Sequence, residues 1–142
     1  MTILDANILI CAYNREAPQH RAAAEWLEQL FNGLEMAGLP WVTLWAFLRI
    51  VTNARVLPKP MPVGEAFAAI REWLERPNVV ILQPGPRHAE LLEKLVREGN
   101  ASGALVSDAA LAALALESGA TLASTDRDFS RFPGLKWIHP LE

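Results

Sequence analysis

The feature that most constrains this chain is an alternation. Short apolar runs recur between longer stretches whose apolar residues repeat every three to four positions. Thr2 to Asp5 reads as a short buried strand, and "ANILICAY" after it as the start of a buried helix. Pro18 to Asn32 places Ala23, Trp26, Leu27, Leu30 and Phe31 on one helical face, with Glu25, Glu28 and Gln29 turned away. Gly33 is placed to end that helix. "GLPWV" predicts a second strand, and Thr43 is the predicted N-cap of a helix "TLWAFLRIVTN" that stops before Pro58, Pro60 and Pro62. Ala66, Phe67, Ile70, Trp73 and Leu74 mark the next helix. "NVVIL", Asn78 to Leu82, is β-branched and strand-like. Arg87 to Glu98 is a charged amphipathic helix, and Leu105 to Ser118 an alanine-rich one closed by Gly119. "ATLAS" predicts a strand and "LKWIHP" an edge strand. Strands that alternate with helices imply an α/β fold with a mostly parallel sheet covered on both faces. No repeat, linker or low-complexity segment interrupts the pattern, so residues 1–142 are read as one domain, long enough to bury a real core.

Composition narrows the function. Hydrophobic residues make up 51% of the chain, yet no apolar run reaches membrane-spanning length. No secretory leader pattern precedes Thr2, and the single cysteine, Cys11, has no internal disulfide partner. It is read as a buried core thiol in a reducing, cytoplasmic setting. His20, His88 and His139 are scattered and lack zinc-ligand spacing. A net charge of −3 argues against a general nucleic-acid-coating protein. It leaves room for a nucleic-acid enzyme whose metal and local arginines hold a phosphate.

The acidic residues divide by type. Almost all the glutamates fall at solvent-facing helical positions, whereas the four aspartates fall elsewhere. Asp5 ends the first strand, Asp108 lies near the start of the alanine-rich helix, and Asp126 and Asp128 follow a late strand. Each taken alone suits capping: Asp5 for the next helix, Ser107 or Asp108 for the alanine-rich helix, and Thr125 with Asp128 as a capping box. Taken together they suit a site, because parallel sheets gather the carboxyl ends of their strands along one rim. If the strands before Asp5 and Asp126 are neighbours, two like charges ~5 Å apart repel by roughly 3 kcal/mol at an effective dielectric of about 20. Some carboxyls then protonate, or a cation neutralises them. Oxygen-only ligands favour Mg2+ or Mn2+ over zinc. Such ions polarise phosphoryl oxygens and lower the pKa of an attacking water.

The segments "LDANILICAY", "PWVTLWAFLRIVTN" and "SDAALAALALESGATLASTDRDFSRFPGLKW", in that order, resemble PIN-domain ribonucleases, specifically VapC-type toxins of bacterial toxin–antitoxin pairs. The resemblance covers nearly the whole chain. It implies a three-layer α/β/α sandwich and a Mg2+- or Mn2+-dependent endonuclease acting on RNA. It also implies metal ligands at Asp5, Asp108 and Asp126, a VapB-type antitoxin as partner, and a homodimer. Asp128 is assigned a supporting role, with Asn7 and Ser124 as hydrogen-bonding neighbours.

One position departs from the pattern. Relatives similar to this chain usually carry a glutamate where Ala46 stands. Ala46, Arg49 and Asn53 fall on one predicted helix stripe, and with Thr43 as N-cap position 46 would complete a capping box. The expectation is a weakened or inactive enzyme. A non-catalytic PIN-like module that binds RNA or protein is the alternative. Arg49 is read as pairing with a site carboxylate or touching RNA, and Arg127 and Arg131 as possible phosphate contacts. Trp26, Trp41, Trp45, Trp73 and Trp137 are read chiefly as core, with base stacking as the alternative. Trp26, Leu30 and Phe31 are a possible exposed strip for the antitoxin. A haloacid-dehalogenase-like phosphatase or a receiver domain would also place an aspartate after the first strand. The former wants a second aspartate where Asn7 stands, and both want a late lysine, for which only Lys136 is available.

Overall fold

The computed structural model describes residues 1–142. Its strands are β1 (Thr2–Leu4), β2 (Ala37–Pro40), β3 (Val79–Leu82), β4 (Thr121–Ala123) and β5 (Trp137–Ile138). The helices are α1 (Ala6–Tyr13), α2 (His20–Asn32), α3 (Trp41–Val51), α4 (Val63–Glu75), α5 (His88–Glu98) and α6 (Leu105–Ser118), with a 3-10 turn over Arg127–Arg131. The five strands lie in the order β3-β2-β1-β4-β5, and every pairing is parallel.

Burial on both faces of the sheet follows from alternation within single strands. Ile3 packs with α5, α6, Phe129 and Phe132, while the next residue, Leu4, packs with α1 to α4. Leu122 and Ala123 divide in the same way on β4. The larger half-core centres on Trp73, Phe47 and Tyr13, whose rings meet edge to face at centroid distances of 4.8 to 6.1 Å. The other is built on the small side chains Ala109, Ala112, Ala113 and Ala115, which let α6 lie close to the sheet. Gly38 serves the same closeness in β2: a Cβ there would lie 2.7 Å from Leu82 Cδ1. Gly119 ends α6 with φ 65°, the left-handed backbone that glycine adopts freely.

Several local expectations change. The second strand ends at Pro40 and helix α3 begins at once with Trp41, so "PWV" belongs to the turn and helix. Pro40 occupies the N-cap position, because its fixed φ and missing N–H suit a helix start. Thr43 therefore sits inside the first turn, where its hydroxyl donates to the Leu4 carbonyl at 2.8 Å and ties α3 to the end of β1. Position 46 is not the third residue of this helix, and the capping-box argument for a glutamate there falls away. Asn53 lies beyond the last turn of α3, where its side chain accepts from the Arg55 N–H at 2.9 Å. Trp26 and Leu30 pack against the core and Phe31 is 5% exposed, so they form no open strip. Cys11 is half-buried rather than sealed in the core. No helix is long and apolar enough to cross a membrane.

Candidate active site

The chain builds β1, β2 and β3 outward in one direction, then returns to add β4 and β5 on the other side of β1. That reversal puts a topological switch point between the carboxyl ends of β1 and β4, the place where open parallel sheets bind ligands. Leu4 pairs with Ala123, so Asp5 and Ser124 emerge side by side.

Ser124 organises this point. It is fully buried, and its hydroxyl donates to Asp5 Oδ2 at 2.7 Å. The same oxygen accepts from Asn7 Nδ2 and from the Asp126 N–H, each at 3.0 Å. Asn7 Oδ1 accepts from the Thr125 N–H at 3.4 Å. Trp137 on β5 donates its indole N–H to the Ser124 carbonyl at 3.0 Å. Side chains from β1, α1 and the segment after β4 thus meet in one network.

The aspartates occupy both roles that the sequence suggested. Asp5 caps α1 by accepting from the Ala6 N–H at 2.7 Å while its other oxygen faces Ser124. Asp126, not Thr125, caps the 3-10 turn, accepting from the Asp128 N–H at 2.8 Å. Asp108 caps nothing: α6 begins at Leu105 and Asp108 lies on its first turn. One carboxylate oxygen from each of Asp108, Asp126 and Asp128 falls within 4.8 Å of the others. The tightest acidic group therefore includes Asp128, to which the sequence reading gave a supporting role. Asp5 stands beside this group, near enough for Asp126 to perturb it.

The electrostatics are those of crowded like charges. Burial, then the negative charges of Asp126, Asp5 and Asp128, push the Asp108 carboxyl up to about 6, against a smaller opposing pull from Arg131. Burial is also the main cause that raises Asp5, and its hydrogen bonds from Ser124 and Ala6 oppose it. Such a site carries more negative charge than its surroundings stabilise.

Basic residues approach only at the margin. Arg131 reaches toward Asp128 at 3.7 Å and donates to the Gly99 carbonyl at 3.0 Å, linking the 3-10 turn to the loop before α6. Arg127 turns outward to pair with Glu142. Arg49 is exposed and belongs to no ion pair, so the expected pairing with a site carboxylate does not form. Ala46 is half-buried, one turn after Thr43 on α3 and on the same helix face. Sequence reasoning missed the anchoring by Thr43 and the Trp137 bond to Ser124. A threonine near a helix start and a tryptophan in an edge strand each have a commoner explanation.

Comparison with known proteins agrees with this architecture. Residues 2–135 match the family model described as the PIN domain. Ribonuclease VapC33 of Mycobacterium tuberculosis is 43% identical over 141 residues, covering 99% of both chains. Among solved structures, VapBC-1 from nontypeable Haemophilus influenzae superposes with a TM-score of 0.71 at 22% identity, covering 99% of this chain and 98% of that one. A toxin–antitoxin complex from Klebsiella pneumoniae gives a TM-score of 0.66 at 20% identity, covering 99% and 98%. Sequence and fold together assign this chain to the PIN-domain family, in its VapC ribonuclease branch.

Proposed function

We propose that this chain, one domain over residues 1–142, is a Mg2+- or Mn2+-dependent endoribonuclease, the toxin of a cytoplasmic toxin–antitoxin pair. One observation carries the reading: aspartates far apart in sequence converge at the rim between β1 and β4, with only oxygen donors among them. Hard divalent cations take such donors. The raised Asp108 carboxyl fits them too, since a cation relieves the repulsion that holds it up. Asp5, Asp108 and Asp126 hold the ion and Asp128 supports it. Ser124 and Asn7 keep Asp5 and the Asp126 backbone in register. The bound ion supplies Lewis-acid polarisation of the scissile phosphate and a more acidic attacking water. Arg127 and Arg49, both exposed, are the candidates for RNA phosphate contact.

Ala46 is the weak point of the site. Its helix is tied to the residue before Asp5 through Thr43, and position 46 shares Thr43's face. A glutamate side chain there would extend toward the acidic rim, and the alanine supplies no carboxylate. The chain is accordingly a weakened nuclease. The same alanine favours a second reading, a non-catalytic PIN-like module that retains binding. A nuclease assay with Mn2+ on the parent and on Asp5→Asn separates the two. Cleavage lost in the variant supports the enzyme, and equal background in both supports the module.

A VapB-type antitoxin is the proposed protein partner, by analogy with the toxin–antitoxin complex of the same fold. The apolar strip expected for it is closed, but a cleft of about 160 Å³ remains between α2 and α4, floored by Leu27, Phe31 and Trp73. Glu28, Glu72 and Arg76 rim it, which suits an amphipathic segment. The toxin is proposed to act as a homodimer.

A further inference from the structure

The edge strand β5 serves the acidic rim without bringing a carboxylate to it. The Leu122 N–H donates to the Lys136 carbonyl at 2.8 Å, and the Ser124 N–H to the Ile138 carbonyl at 3.1 Å. The evenly spaced ladder of a parallel pair next calls on residue 140 to donate to the Ser124 carbonyl. That residue is Pro140, which has no N–H. Ser124 is fully buried, so its carbonyl needs another donor. The Trp137 indole supplies it, at 3.0 Å.

This bond holds a peptide plane as well as an atom. The Ser124 carbonyl and the Thr125 N–H belong to one planar unit. Trp137 fixes the carbonyl end, and Asn7 Oδ1 accepts from the N–H end at 3.4 Å. The plane is thus gripped by β5 on one side and α1 on the other. The next residue is Asp126, whose own N–H turns back to the Ser124 hydroxyl at 3.0 Å. Without the indole, the plane keeps only the longer of its two bonds. Rotation there would swing Asp126, and through its cap Asp128, relative to Asp108 on α6 and to Asp5.

We propose that Trp137 is a positioning residue of the metal site, its indole N–H setting the 124–125 peptide so that Asp126 meets Asp108 and Asp5. This rests on the metal-dependent nuclease reading above. The ring and the N–H of Trp137 have separable roles. The ring packs with the half-core beneath α5 and α6, a task that phenylalanine would share. The N–H has no apolar task, and it meets the carbonyl that Pro140 leaves unserved. Groups that orient metal ligands without touching the ion typically change affinity by about ten- to a hundredfold when lost. Trp137 acts one bond further out, which points to the lower end of that range.

The test compares the parent with Trp137→Phe, which keeps a ring and loses the donor, and with Leu135→Ala. Leu135 packs against the same half-core and makes no bond to Ser124, so it reports loss of packing alone. Mn2+ affinity is read from the electron paramagnetic resonance signal of the free ion. Trp137→Phe should raise the Mn2+ dissociation constant by about tenfold. Leu135→Ala should leave that constant unchanged while lowering the urea midpoint. A second readout needs no metal. In EDTA, Trp137→Phe should lower the urea midpoint far less in a Ser124→Ala background than in the parent, because the two residues act as one unit. An unchanged dissociation constant in Trp137→Phe overturns the proposal. So does equal weakening in Leu135→Ala, which would assign the effect to packing, and so do additive midpoints in EDTA. A parent that binds no Mn2+ while the coupling in EDTA holds sinks the nuclease reading alone and leaves Trp137 as the residue that sets the Asp126 backbone.

Discussion

The Ser124 hydroxyl donates to Asp5 at 2.7 Å across a sequence separation of 119 residues. The same oxygen accepts from Asn7 and from the Asp126 backbone, so one buried atom aligns the carboxyl ends of two neighbouring strands. Ser124→Ala should remove all three contacts and leave buried donors unpaired. We expect a loss of about 1 to 3 kcal/mol in urea denaturation and a weaker response to Mn2+. An unchanged denaturation midpoint would show that Ser124 does not organise the site.

Asp108 predicts a pH dependence with a definite sign. Its carboxyl is raised from 3.8 to about 6 in the fold, so between those values the folded chain holds more proton than the unfolded one. Stability therefore falls as pH rises from about 4 to about 6, and the deficit persists above that. The full shift corresponds to about 3 kcal/mol. The group is only half-buried, and solvent screening brings this to about 1 kcal/mol. In EDTA, Asp108→Asn should be more stable than the parent at pH 7 by about that amount, and the gap should close toward pH 4. A gap that stays constant with pH would refute the electrostatic cause.

Divalent metal should reverse that ranking. An ion that binds only the folded chain stabilises it by about 2.7 kcal/mol at a hundred times its dissociation constant. For a chain of this size that is a rise of roughly 5 to 10 °C in Tm. Saturating Mn2+ should raise the parent's Tm by such an amount and leave Asp126→Asn unmoved. Equal shifts in both proteins would place the ion elsewhere.

Restoring the carboxylate on α3 is the decisive test of the weakened-enzyme reading. Ala46→Glu should raise Mn2+-dependent cleavage of RNA by about a hundredfold or more, within the usual contribution of a positioned acid–base group. No gain, with folding intact, would remove position 46 from the chemistry.

The aromatic half-core gives a prediction about stability alone. Trp73 is 2% exposed and packs against both Phe47 and Tyr13. Trp73→Ala should cost about 3 to 5 kcal/mol by opening a cavity. Phe67→Ala, on the exposed face of the same helix, should cost well under 1 kcal/mol. Denaturant midpoints compare the two.

By itself the sequence determined the elements, because their signals are local. The apolar faces of Pro18 to Asn32 and of Arg87 to Glu98, the run at Asn78 to Leu82 and the stop at Gly119 each act over a few residues, and all recur in the fold. It also separated the aspartates from the glutamates, since Asp5, Asp126 and Asp128 follow strand ends and Asp108 lies at a helix start. Tertiary structure decided which of them meet. That depends on β4 returning to the far side of β1, and no local pattern specifies a strand's neighbour. The same long-range packing turned Thr43 from an expected cap into a clamp on Leu4, and drew Asp128 into the tightest acidic group. It also left Trp41 and Trp45 outside while burying Trp73, because exposure is set by what an element packs against and not by the residue itself.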